Sequence, residues 1–261
     1  MLKKHIVPIA VVVTLFILAK VFAYQMPLAQ KSLLKKEQLH TTIPTTDSLK
    51  VEKKEVKPQS LMAQLNFADE TLPLGDKKVE RKMKKILAAH TYGNTQTNRL
   101  HKKAKEWFPV IEPILAAYGI PNDFKYLALV ESGMAAGVSP KGAAGIWQFM
   151  PGTARSYGLK VNDQVDERYN LRKSTIAACK YIKEMYKGLE SWTLVAAAYN
   201  VGDGRLRKQI NNQNQDNYYK MRLNRETGRY VYQVISMKQI VEHPNRYGYQ
   251  KKRVLLAYNA N

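Results

Sequence analysis

The stretch Lys125-Tyr126-Leu127-Ala128-Leu129-Val130-Glu131-Ser132-Gly133 reads as a short apolar helix that ends in a carboxylate. Pro121-Asn122-Asp123 precedes it as a start signal, with Asn122 as N-cap. Gly133 supplies the stop. Phe124, Leu127, Ala128 and Glu131 fall at i, i+3, i+4 and i+7 and share one face. Leu129 and Val130 are apolar too, so the helix is buried on most sides and Glu131 lies on an apolar face. Desolvation and the negative end of the helix dipole both favour the protonated carboxyl. A pKa raised in that way suits a general acid working near neutral pH. A lone Glu at a helix end more often turns to solvent or pairs with a base. The surrounding sequence therefore has to decide between the two readings.

Downstream, a glycine-rich loop with Gly133, Gly137, Gly142 and Gly145 leads into Ile146-Trp147-Gln148-Phe149-Met150-Pro151. Glycines let a backbone approach a ligand closely. Trp147 and Phe149 offer flat apolar faces of the kind sugar rings use, and Gln148 offers an amide for hydroxyl or acetamido groups. Ala196-Ala197-Ala198-Tyr199-Asn200 then puts a phenol and an amide at the end of an alanine-rich helix, whose small residues admit a close neighbour such as the helix of Glu131. Glu226-Thr227-Gly228-Arg229-Tyr230-Val231 precedes a last helix. Taken singly, each of these reads equally well as a loop, a cap or a core segment.

Helical patterning runs from about Lys77 to the mid-240s. Val79, Met83, Ile86 and Leu87 form one stripe; Leu100, Ala104, Trp107, Phe108 and Ile111 form another. A further segment, Ile111 to Tyr118, closes on Gly119 and Pro121. Pro151 opens a short helix that ends near Gly158. Ser174 begins an amphipathic helix through Ala178, Ile182, Met185 and Leu189, and Ser191 caps the next, Trp192 to Asn200. Val231 to Glu242 is the last, ended by Pro244. Alternating runs bounded by hairpin turns are missing, so the fold class is all-α, one domain over 77–245.

The 261 residues carry 45% hydrophobic side chains and a net charge of +21, enough for a core under a strongly basic surface. That charge suits a polyanion: nucleic acid, an anionic membrane surface or an acidic cell-wall polymer. Lys3, Lys4 and His5 precede an apolar run from Ile6 to Ala19, followed by Lys20 and Val21-Phe22-Ala23. Residues 1–23 are either a signal peptide cut before Tyr24 or an uncleaved anchor. Export in either form makes nucleic acid an unsuitable main partner. Residues 24–76 are polar and Lys-, Ser- and Thr-rich, and read as a flexible linker, with one apolar patch from Leu61 to Phe67. Residues 246–261 form a basic, Tyr-rich tail. The one cysteine, Cys179, lies in a helical pattern as a core residue. The histidines have no metal-ligand spacing, so no metal and no cofactor are expected.

The four motifs in order, E-S-G, G-x-W-Q-F-M-P, A-Y-N and E-T-x-x-Y-V, resemble the catalytic domain of lytic transglycosylases, the Slt-type domain of glycoside hydrolase family 23. The resemblance covers Lys77 to Pro244. It implies a lysozyme-like helical domain with a groove and cleavage of the β-1,4 bond between N-acetylmuramic acid and N-acetylglucosamine. It implies Glu131 as single acid/base and Ser132, Gln148, Phe149 and Met150 along the glycan. Tyr199 and Asn200 would hold the sugar and the carboxylate, with Tyr230 across the cleft. The implied partner is peptidoglycan, alongside an anionic membrane surface or other wall proteins, and the implied place is the periplasm or cell envelope. Two positions depart from the family pattern. Arg229 is shifted by one from where the arginine usually follows Thr, and Asn170 replaces an Asp. A hydrolytic, goose-type muramidase on the same scaffold is the first rival; it needs a second acid such as Asp123, Asp163 or Asp166. A non-catalytic, basic glycan-binding envelope protein is the second.

Overall fold

The computed structural model describes residues 62–133 and 138–249. The signal or anchor, most of the linker and the tail beyond Tyr249 lie outside the described residues. Among the described residues no helix is long and apolar enough to cross a membrane. Near the start of the described residues is a hairpin of β1 (Asn66–Phe67) and β2 (Glu70–Thr71). Among the described residues nine α-helices follow it: α1 (Lys77–Ala89), α2 (Tyr92–Thr95), α3 (Arg99–Ala117), α4 (Lys125–Glu131), α5 (Pro151–Ser156), α6 (Leu171–Leu189), α7 (Trp192–Val201), α8 (Asp203–Gln213) and α9 (Thr227–Glu242). The all-α class stands, with the hairpin as an addition.

Helix α4 lies at the centre. Phe124, Leu127 and Ala128 are fully buried, and Tyr126 and Leu129 nearly so. It packs mainly on α3 and α9. A 3-10 turn, Asn122–Phe124, feeds it, and Asn122 makes no capping bond. Asp123 instead faces away from the helix and accepts from Ala68 N and Lys238 Nζ, each at 2.7 Å. The alanine-rich helix α7, with Ala196, Ala197 and Ala198 fully buried, packs chiefly on α6, α8 and α9 rather than on α4.

Several boundaries differ from the sequence reading. The segments either side of Ile111 are one helix, α3, with Pro109 and Pro113 inside it. Both prolines sit on the exposed face, where water serves the carbonyls their missing N–H groups leave free. Helix α6 starts at Leu171, not Ser174, because the Asn170 side chain accepts from Lys173 N at 2.9 Å. Ser191 caps α7 as expected, accepting from Leu194 N.

The expected linker is too long. Met62, Leu65, Phe67 and Leu72 are buried in the main core, and Phe67 packs on Phe124 with ring centroids 5.0 Å apart. Glu70 accepts from the Ser191 hydroxyl and from Trp192 N and Thr193 N at the start of α7. The start of the expected tail is likewise docked: Tyr247 and Tyr249 are buried, and the Tyr249 hydroxyl donates to His90 O at 2.9 Å.

Candidate active site

Glu131 is the last residue of α4, and Gly133, with φ of 52°, turns the chain away from the helix. The half-buried carboxylate faces a cleft of about 590 Å³. Gln148, Phe149, Met150, Tyr199 and Asn200 line this cleft with it. Tyr230, on α9, donates its hydroxyl to Glu131 Oε1 at 2.5 Å. Burial pushes the Glu131 carboxyl up to about 7; the Tyr230 bond opposes this, and the charge of Glu226 adds to it. Burial and the nearby Glu131 carboxylate hold the Tyr199 and Tyr230 phenols well above the usual range, so both are neutral donors.

One wall is a loop held by its own backbone and by a buried arginine. Ala144 and Phe149 exchange both backbone bonds at 3.1 Å. Arg168 is 7% exposed; its guanidinium is chelated by Asp166 and donates to Gly142 O at 2.8 Å and Phe149 O at 3.0 Å. A Cβ on Gly145 would lie 2.0 Å from the Arg168 carbonyl oxygen, so only glycine lets the loop come this close. The Gln148 amide donates to Gly145 O at 2.8 Å. Met150, 44% exposed, forms an apolar lip.

The opposite wall joins α7 to α9. The Asn200 amide donates to Glu226 Oε1 at 3.0 Å, and Asn200 Oδ1 accepts from the Thr227 hydroxyl at 2.9 Å. The Tyr199 hydroxyl donates to Trp147 O at 2.8 Å, tying the two walls together.

Three placements correct the sequence reading. Ser132 is buried behind Glu131, with its hydroxyl toward Leu129 O at 3.4 Å, and does not face the cleft. Trp147 is fully buried and donates to Thr175 Oγ1 at 3.0 Å; Tyr181 lines the cleft and supplies an aromatic wall there. Tyr230, not Tyr199 or Asn200, hydrogen-bonds Glu131. None of Asp123, Asp163 and Asp166 lines the cleft. Among the described residues, its other acid is Glu226, which the sequence presented only as a helix-entrance residue. Lys141 and Arg205 also line it and had no local signal. Cys179 is fully buried and its thiol is pushed up to about 12 by burial, which leaves no thiolate for nucleophilic work.

This arrangement can give and take one proton near neutral pH at the side of the cleft. Residues 109–222 match the family model of the transglycosylase SLT domain. These residues, a little under half of the chain, are similar to that domain. The match includes Glu131, Gln148, Tyr199 and Asn200 but stops before Glu226 and Tyr230, which α9 brings to the same cleft. Membrane-bound lytic murein transglycosylase D of Escherichia coli K12 is 34% identical over 135 residues, 49% of this chain and 30% of that protein. The protein of the same name from Escherichia coli O6:H1 strain CFT073 matches with the same figures. The chain thus spans about a third of the length of these relatives.

Proposed function

We propose that the SLT-type domain is a peptidoglycan lytic transglycosylase with Glu131 as its single acid and base. The observation that carries this is Glu131 itself: a carboxyl held near 7, bonded to Tyr230, in a cleft lined by Gln148, Tyr199 and Asn200. The names of its relatives point to the same activity.

Protonated Glu131 gives its proton to the glycosidic oxygen, and the bond from muramic C1 to that oxygen breaks. Positive charge develops at C1 in an oxocarbenium-like species. Glu131, now ionised, takes the proton of the muramic C6 hydroxyl. O6 bonds to C1 and leaves a 1,6-anhydro end. Glu131 finishes protonated, no water is consumed, and no second carboxylate is needed. Tyr230 holds the carboxyl in one orientation throughout. Gln148, Phe149, Met150, Tyr181, Tyr199 and Asn200 shape the bed for the sugars, and Ser132 backs Glu131 from within.

The proposed organisation is a signal or anchor over 1–23 and a spacer from 24 into the fifties, ahead of the domain. This would hold the enzyme in the cell envelope, against the wall. The basic surface suits anionic wall polymers. The test is clearance of purified sacculi by the full chain beside Glu131→Gln. General acid–base chemistry is worth about 10²–10⁴-fold, and the variant should lose at least that. Equal clearance by both would refute the role of Glu131.

A further inference from the structure

The cleft does not end at Glu226. That residue also borders an adjoining groove of about 420 Å³, whose other walls are Arg225, Arg229 and Gln233. Arg229 and Gln233 are four apart on α9 and share a face, and Arg225 lies in the turn just before that helix. Among the described residues, neither guanidinium makes an ion pair or a side-chain hydrogen bond, whereas Arg168 and Arg207 are both tied to aspartates. The charge of Arg229 reaches His90, whose pKa it helps to lower. Arg229 is also the residue that stands one place off the usual family position. The cleft beside this groove carries two more cations, Lys141 and Arg205.

An arginine presents a planar fork that matches a carboxylate with two parallel bonds. Two such forks without carboxylate partners, in a groove that shares Glu226 with the cleft of Glu131, suit carboxylates. Glu226 does not fill that place: its Oε1 is drawn to Asn200 on the cleft side.

We propose that the Arg225–Arg229–Gln233 groove binds the carboxylates of the peptide carried by the muramyl sugar. This rests on the glycan reading above and adds a preference for peptide-bearing strands over bare ones. The sugar at Glu131 places its lactyl substituent toward the wall past Glu226, where the two guanidinium groups wait. The contact selects substrate by charge and takes no part in bond cleavage.

The experiment compares kcat/KM of the full chain and of R225Q/R229Q on peptide-bearing glycan strands and on the same strands stripped by an amidase. The unaltered protein should prefer peptide-bearing strands by about tenfold, as one good charge-assisted contact gives. In the double variant this ratio should fall toward one, and Arg225→Gln, at an exposed position, should lower it part of the way. Strands whose peptide carboxylates are amidated should behave as stripped strands with the unaltered protein. An unchanged ratio in the double variant overturns the proposal, as does an undiminished preference for amidated strands. If the unaltered protein cleaves neither strand, the activity reading fails instead. Calorimetric titration with a peptide-bearing disaccharide and with the bare disaccharide then decides: a peptide-dependent affinity lost in the double variant supports the groove, and equal affinities refute it.

Discussion

Glu131 is costly to the fold in the state the reaction needs part of the time. Its carboxyl titrates near 4.5 when exposed and at about 7 in the folded protein. The folded state therefore holds a proton that the unfolded chain has released between these values. Stability contributed this way is fully present below pH 4.5 and lost as pH rises through 7. The loss reaches at most roughly 3 kcal/mol. Glu131→Gln has no such titration and still offers Tyr230 an acceptor. Urea unfolding should show the variant gaining on the unaltered protein between pH 4.5 and 8; parallel curves would contradict the burial of this carboxyl. The neighbours tune activity with opposite signs. The Tyr230 bond lowers the Glu131 pKa and the Glu226 charge raises it. Activity needs the protonated acid, so its alkaline limb reports this pKa in kcat/KM. Tyr230→Phe should move the limb to higher pH, and Glu226→Gln to lower pH. A common shift in both would contradict the electrostatic account.

At the level of elements, the loop before α5 is set by contacts that lie far apart in sequence. Gly145 meets the Arg168 carbonyl, and Arg168 in turn clamps Gly142 and Phe149. Gly145→Ala must push the loop off this clamp, and should cut kcat/KM while lowering the thermal midpoint. Arg168→Met leaves Asp166 unpaired and should cost roughly 3 kcal/mol by the measure of broken, partly buried pairs. Glu70→Ala strips three donors at the head of α7 and should cost about 1–2 kcal/mol in denaturant unfolding. These contacts explain where the sequence was readable. The period of Val79, Met83, Ile86 and Leu87, and the cap at Ser191, are local, and α1 and α7 follow from them. The hairpin was hidden because its turn uses Ala68 and Asp69 at φ of 52° and 64° in place of Asn-Gly. Ser132 and Trp147 were read as facing the ligand because motif spacing does not say which side of a loop is the core. Glu226, Tyr181 and Arg205 reach the cleft only through the packing of α6, α8 and α9. By contrast, Glu131 and Tyr230 stand out through motif order, although their hydrogen bond spans 99 positions.

For the whole molecule, the core begins well before the first long helix. Leu65 and Phe67 are fully buried, and each is worth about 1.5–3 kcal/mol of burial. A domain of this kind holds only ~5–15 kcal/mol in total. A chain starting at residue 77 should therefore melt far below one starting at residue 55, and equal midpoints would contradict the docking of the hairpin. The net charge of +21 acts over the same scale. Binding to sacculi should weaken as salt screens that charge. The central claim is that one carboxyl, with no activated water, breaks the strand and closes the ring. Mass spectrometry of sugars released from purified peptidoglycan tests it most directly. The account predicts muramyl products lighter by one water than hydrolytic ones, absent with Glu131→Gln. Hydrated, reducing ends would contradict it and direct attention to Glu226 as the base that activates water.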